Sequence, residues 1–315
     1  MPDPADPTAP ERPPLAVAPS TPRRLAYLGT PDVAVPPLRA LHSAGFEIAV
    51  VVTRPDKRRG RGGTLSPSPV KAVALELGLP VTDDLDAVLD AGIELGVVVA
   101  YGRIIPRRVL EAVPMVNLHF SLLPRWRGAA PVERALLAGD ATTGVCLMEV
   151  AEGLDTGAVY AVEETPIAPD DTLASLRGRL VEMGSAMVVD ALTAGLTPPA
   201  PQVGEPTHAA KIDPSELALD WHRPVAELDR LVRLGGAWTT FRGRRLKVWR
   251  VEVVDGPDVP AALAGAVPGS LDGLLVAAES GALRLIEVQP EGKGRQEAAA
   301  WRNGHPPEPG ERLGA

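Results

Sequence analysis

The chain has 315 residues, 45% of them apolar, 23% charged and 3% aromatic, which is the composition of a globular protein long enough to bury two cores. A single cysteine, Cys146, excludes an intrachain disulfide and a cysteine-built metal site and fits a reducing cytoplasm, and no stretch approaches the roughly 18 consecutive apolar residues of a membrane span. The net charge of −8 argues against a polyanion partner, yet six basic residues and one acid lie between Arg54 and Lys71, and five basic residues and no acid between Thr239 and Arg250; local patches, not the total, steer a polyanion.

Residues 1–22 hold eight prolines and no apolar periodicity or signal-peptide core, so a disordered N-terminal extension is expected. Leu25 to Leu28 reads as a buried strand ending in a tight turn at Gly29. No G-x-G-x-x-G follows, so a dinucleotide is not indicated. Val35, Leu38 and Leu41 repeat at helical spacing, Gly45 closes the helix, and Ile48 to Val52 is the next strand. That is a βαβ unit, hence a parallel sheet. Thr53 to Ser68 exceeds the about 2 to 6 residues of an ordinary strand–helix connection and reads as a functional loop. Ser68-Pro69 has the chemistry of an N-cap and first helical residue. Leu85 to Ala91 reads as helical, Leu95 to Ala100 as a strand, and Pro106 as the start of another helix.

The next strand runs into Asn117-Leu-His119. Alternation places Asn117 and His119 on one face. An amide offers an N–H to a developing oxyanion, and an imidazole offers a donor or a proton relay; a strand end bonded to nearby backbone is the plainer alternative. Pro124 stops the strand pattern, a basic loop follows, and Pro131 suits a helix start. Thr143 to Val150 alternates as a strand, Gly153-Leu-Asp-Thr-Gly157 is a loop, and Ala158 to Glu163 is a strand expected to be antiparallel. Asp155 there suits a carboxylate partner for His119 or a structural Asx-turn. Asp170-Asp171-Thr172 caps a long helix whose Leu173, Leu176, Leu180, Met183 and Met187 are core positions. Four prolines between Leu196 and Pro206 read as a linker. After Pro214 come a helix, Val225 to Leu234, and β-like runs at 238–241, 246–254, 274–278 and 283–289. The five histidines, at 42, 119, 208, 222 and 305, show no metal-ligand spacing, so no metal site is expected.

Four blocks resemble methionyl-tRNA formyltransferases: Gly29-Thr-Pro-Asp32, Ser66-Pro-Ser-Pro-Val-Lys71, His119-Phe-Ser-Leu-Leu-Pro-Arg-Trp-Arg-Gly-Ala-Ala-Pro131 and Gly153-Leu-Asp-Thr-Gly157. They stand in the family's order, and the resemblance runs from about Arg24 towards the C-terminus. Phe120 departs from the glycine or proline more usual there. The resemblance implies an α/β chain with a Rossmann-like, mostly parallel formyltransferase domain over residues 23–196, a linker over 197–213 and a small β-rich, OB-like barrel over 214–315 that binds tRNA. It implies Asn117, His119 and Asp155 as catalytic groups, and Ser121, Leu122, Leu123 and Pro124 as lining of a 10-formyltetrahydrofolate site. Tyr101, at a neighbouring strand end, is placed there by the rule for open α/β sheets. The basic loop, with Lys57, Arg58, Arg59 and Arg61, is implied to meet the acceptor end of initiator methionyl-tRNA, and Arg245 is a second phosphate contact. The expectation is a monomeric cytoplasmic enzyme of translation initiation. The rivals are a formyltransferase acting on a sugar nucleotide or glycinamide ribonucleotide, and a non-catalytic RNA-binding protein.

Overall fold

The computed structural model describes residues 13–59, 64–306, 308 and 310–314. Its elements begin with β1 (Arg24–Gly29), α1 (Val35–Ser43), β2 (Glu47–Val52), β3 (Lys57–Arg59), β4 (Thr64–Ser66), α2 (Pro69–Glu76), β5 (Val81–Thr82), α3 (Ala87–Asp90), β6 (Leu95–Val99), α4 (Arg107–Ala112) and β7 (Met115–His119). They continue with β8 (Arg127–Gly128), α5 (Pro131–Ala138), β9 (Thr142–Glu149), β10 (Val159–Pro166) and α6 (Leu173–Ala194). Two compact units form. The first holds the described residues up to Arg127 with 144–164 and 178–207, and the second holds 128–143, 165–177 and the described residues from His208.

A strand that is apolar on both faces belongs inside a sheet covered on both sides. Leu25 to Leu28 and Leu95 to Val99 are such runs, buried along their whole length. They form the centre of a seven-stranded sheet ordered β10-β9-β7-β6-β1-β2-β5. The run from β7 to β5 is parallel, and β9 joins β7 antiparallel. Ala26, Leu28, Val50, Val52, Val98, Val109 and Leu110 form one core of this unit. Gly29 is required for close approach rather than for an unusual φ: a Cβ there would sit 2.9 Å from the Ala34 Cβ and 3.1 Å from the Val99 carbonyl oxygen. Ser68 caps α2 by accepting from Lys71 N at 3.0 Å, with Pro69 behind it.

The structure departs from the sequence expectations at three places. The long loop after β2 is a β-hairpin arm, β3 and β4 pairing antiparallel through Lys57–Ser66, Arg58–Leu65 and Arg59–Thr64. Residues 13–22, expected to be disordered, lie against the first unit. Leu15 packs on the core of that unit, Ala16 N donates to Leu110 O at 2.9 Å, and Leu196 N donates to Ser20 O at 2.7 Å. One apolar side chain and a pair of backbone bonds outweigh a proline-rich composition. The expectation for residues 1–12 lies outside the described residues. The division at 196 is also not linear in the chain: α5 and residues 165–177 belong to the second unit because Leu136, Leu137, Ile167 and Leu173 feed its core.

The second unit continues with β11 (His208–Ala209), α7 (Val225–Leu234), β12 (Trp238–Phe241), β13 (Arg244–Val254), β14 (Leu271–Asp272), β15 (Leu275–Ala277), β16 (Ala282–Pro290), β17 (Gln296–Glu297) and α8 (Ala298–Gly304). The expected β-rich domain is a six-stranded antiparallel sheet, β12-β13-β16-β15-β14 with β17 on β16. Leu228, Leu231 and Val232 of α7 pack with Leu246, Val248, Leu283, Leu285 and Val288 of the sheet.

Candidate active site

β7 delivers the first two groups. It lies between parallel β6 and antiparallel β9, with Asn117 paired to Val98 and Met148 and His119 to Cys146. Two residues of strand rise separate the pair by about 7 Å on one face. His119 is held by its far ring nitrogen. Nε2 lies 2.9 Å from the Trp126 carbonyl oxygen, which can only accept, so Nε2 carries the proton. The other nitrogen, Nδ1, faces Asp155 Oδ2 at 3.6 Å. That is longer than a hydrogen bond and short enough for strong attraction once Nδ1 is protonated. The side chains are only 6% and 13% exposed, so water screens the pair weakly.

Asp155 is brought there by its glycines. The loop after β9 turns back at once, with Glu149 N donating to Ala158 O at 2.8 Å. A Cβ on Gly157 would overlap the Glu149 carbonyl oxygen, and one on Gly153 would sit 2.5 Å from Thr156 Oγ1. Both glycines are therefore packing glycines. Thr156 Oγ1 closes the turn by donating to Gly153 O at 3.1 Å. Gln202, from the proline-rich stretch expected to be a linker, donates through Nε2 to the carbonyls of Asp155 and Gly157 at 2.9 and 2.8 Å. That stretch is anchored elsewhere too, by a bridge between Ala200 and Val159.

Four non-glycine described residues have positive φ: Ala100 (46°), Trp126 (65°), Asp155 (51°) and Arg242 (51°). Left-handed backbone costs about 1–2 kcal/mol for most residues and less for Asp. Asp155 and Trp126 hold the two sides of His119, and Ala100 immediately precedes Tyr101. Strain gathered in this way is the pattern of a functional site.

Tyr101 stands at the carboxyl end of β6, 2% exposed, with its hydroxyl at no hydrogen-bonding geometry to a partner. Burial raises its pKa against the lowering pull of the Arg103 guanidinium. Ser121 is fully buried, and its hydroxyl donates to the Arg125 carbonyl at 2.6 Å, so it shapes the turn. Cys146 donates to Ser121 O at 3.1 Å, and burial pushes its thiol up to about 11. Leu122 and Leu123 are half-buried and Pro124 is buried. Phe120 is buried beside Gly184 of α6. Lys57 and Arg58 are exposed on the hairpin, Arg59 is in its first strand, and Arg61 lies outside the described residues. Asp56 anchors the hairpin's base, both carboxylate oxygens 2.9 Å from Lys71 Nζ.

Arg245 belongs to the second unit. Its guanidinium stacks on Trp238 at 4.1 Å, and it borders a cavity of about 690 Å³ that Arg244, Lys293, Arg295, Phe241 and Trp301 also line. Arg242, in the same basic run, is committed to Glu311 at 2.6 Å. Sequence reasoning missed Gln202, the Trp126 carbonyl and Arg127. A glutamine among prolines carries no local signal, and a carbonyl's role is set by backbone direction.

Residues 23–192 match the family described as Formyl transferase, and residues 211–306 match Formyl transferase, C-terminal domain. A protein of Symbiobacterium thermophilum named methionyl-tRNA formyltransferase is 44% identical over 305 residues, covering 89% of this chain and 92% of its own. Among solved structures, HypX from Aquifex aeolicus in complex with tetrahydrofolic acid is similar with a TM-score of 0.61 at 19% identity, over 90% of this chain and 47% of that one. The N-formyltransferase from Helicobacter canadensis in complex with folinic acid and dTDP-3-aminofucose is similar with a TM-score of 0.62 at 14% identity, over 84% of this chain and 98% of that one.

Proposed function

Because this chain belongs to the methionyl-tRNA formyltransferase family, we propose that it moves a formyl group from 10-formyltetrahydrofolate to the α-amino group of methionine on initiator tRNA. The observation that carries the mechanism is the His119–Asp155 pair beside Asn117 at the end of β7. The amine lone pair attacks the formyl carbon and a C–N bond forms. Charge gathers on the formyl oxygen, where the Asn117 amide N–H stabilises it. The His119–Asp155 pair takes the proton that the amine must lose. The bond from formyl carbon to folate N10 then breaks, and the proton ends on N10 of tetrahydrofolate. Atoms and charge balance without a further reactant.

The donor occupies the carboxyl ends of β6 and β7, where open α/β sheets hold ligands. Tyr101 offers its buried hydroxyl, Leu122, Leu123 and Pro124 supply the apolar wall, and Ser121 fixes that wall's shape. The hairpin arm with Lys57, Arg58 and Arg59 meets the acceptor end of the tRNA, Arg61 of the same basic stretch meets it too, and Arg245 contacts its phosphates elsewhere. All three reacting groups come from one chain, so a monomer suffices, working in the cytoplasm where charged tRNA and folate are available. No helix among the described residues is long and apolar enough to cross a membrane.

The test is formyl transfer from 10-formyltetrahydrofolate to charged initiator methionine tRNA, with elongator methionine tRNA, a dTDP-amino sugar and glycinamide ribonucleotide as competitors. Preference for the initiator tRNA supports the proposal. Faster transfer to either small amine overturns it.

A further inference from the structure

Gln202 is half-buried, and both ends of its amide are in use. Oε1 accepts from Arg127 Nε at 3.0 Å and from Nη2 at 2.6 Å, while Nε2 donates to the Asp155 and Gly157 carbonyls at 2.9 and 2.8 Å. A guanidinium only donates and carbonyls only accept, so the amide's orientation is forced and its four-bond capacity is full. No other side chain of this length does both jobs.

These bonds close a ring. Gln202 binds Asp155, whose carboxylate faces His119 Nδ1; His119 Nε2 binds the Trp126 carbonyl; Trp126 is followed by Arg127; and Arg127 returns to Gln202. Thr207 braces one side, its hydroxyl accepting from Trp126 N at 2.8 Å and its carbonyl from Arg127 N at 2.9 Å. Two members of the ring, Trp126 and Asp155, hold left-handed backbone, which relaxes unless the surroundings over-determine it.

We propose that Gln202 is a positioning residue that sets the separation and alignment of Asp155 and His119 through this ring. It touches no reacting atom. The kinetic part of the inference rests on the formyl-transfer reading; the ring itself is readable in the unliganded protein. A plain staple would affect stability and leave the folded enzyme's chemistry alone.

The experiment uses the full-length chain with Gln202→Met, which keeps length and removes every polar contact, and Gln202→Glu, which turns two donors into an acceptor facing two carbonyls. The expected result is a kcat lowered roughly 10- to 10²-fold, as for a displacement of about 1 Å, with KM for both substrates within about twofold. In an Asp155→Asn background, Gln202→Met should add little further loss, because both changes act on one element. By ¹H–¹⁵N NMR of unliganded protein, the His119 Nε2–H signal should be present in the wild type and shifted or lost in the variants. Unchanged kcat and an unchanged imidazole signal in folded Gln202→Met overturn the proposal, as does a full independent loss in the Asp155→Asn background. If neither variant folds, Arg127→Lys, which keeps the charge and loses the fork, should show the same kinetic split, and an unaltered kcat there overturns it. A wild-type protein that transfers no formyl group to tRNA refutes the reaction while the NMR comparison still judges the ring.

Discussion

Gly157→Ala adds one carbon at the tightest point of the Asp155 loop. That Cβ would overlap the Glu149 carbonyl oxygen and lie 2.8 Å from the Glu149 carbonyl carbon. Glu149 cannot yield, because it pairs with Val116 inside the sheet and its N–H bonds Ala158. The loop must lift instead. Overpacking of this kind costs about 1–3 kcal/mol, and losing the two Gln202 bonds adds about 0.5–1.5 kcal/mol each. Together these make about 2–6 kcal/mol, and at about 2–4 °C per kcal/mol for a unit of this size, Tm should fall by roughly 4–24 °C. Asp155 moves with the loop, so kcat should fall by around 10²-fold. Thermal unfolding and steady-state formyl transfer measure the two effects. Gly153→Ala is the comparison: its Cβ has its nearest contacts all on Thr156, 2.5 Å from Oγ1, 2.9 Å from Cγ2 and 3.3 Å from Cβ, so a side chain of the turn must give way rather than sheet backbone, and its cost should stay below that of Gly157→Ala. A Gly157→Ala protein with wild-type Tm and kcat, or a Gly153→Ala protein that loses more, refutes the packing argument.

Asn117→Ala should lower kcat by roughly 10²- to 10³-fold, the usual loss of one oxyanion donor, and near-normal turnover removes its role. Arg61→Ala should raise KM for charged tRNA and leave KM for the folate donor unchanged; the reverse pattern would place the hairpin at the donor site. Removing residues 1–22 should lower stability by about 1–3 kcal/mol through loss of the Leu15 contact and the backbone bonds at Ala16 and Ser20, with kcat unchanged; denaturant titration checks it. Tyr160 has its pKa raised to about 12 by burial first and then by the Glu149 carboxylate. The neutral phenol is thus favoured in the folded state, so its contribution is fully present below the unfolded value near 10 and is lost as pH rises through about 12. Tyr160→Phe should flatten alkaline unfolding between those values and leave stability at pH 7 nearly unchanged.

What the sequence made legible was whatever repeats at a fixed period or acts locally. Unbroken apolar runs located the parallel strands, helical spacing placed α7 at its observed bounds, and Ser68-Pro69 announced a helix start. Asn117 and His119 were paired by strand alternation alone. What stayed hidden depends on contacts between distant segments. The hairpin after β2 is a pairing of two strands only three residues long, too short for a period to register. The ordering of residues 13–22 needs Leu110 and Leu196 as partners. The division of the chain into units follows Leu136 and Leu173 into a core built mainly from residues about 50 to 150 positions further on, so no composition boundary marks it.

The Asp155 loop shows the difference most sharply. Its two glycines suggest conformational freedom when read in one dimension, yet neither has positive φ, and the residue that does is the aspartate between them. Gly157 instead clears space so that the loop can lie against Glu149 of β9, Gly153 clears space for the Thr156 side chain inside the turn, and this packing turns Asp155 towards His119. An aspartate takes left-handed backbone more cheaply than most residues, so the chemistry needed at the site and the backbone needed by the loop are met by one side chain. Trp126 has no such excuse. Its left-handed conformation aims a carbonyl at Nε2, leaving Nδ1 to face the carboxylate. A Trp126→Gly protein separates the two parts of that role: if the carbonyl alone matters, glycine should keep the His119 contact and nearly all of kcat, because it adopts this φ without strain, whereas a large loss would show that the indole, packed under Arg125 at 4.5 Å, is needed to hold the carbonyl in place.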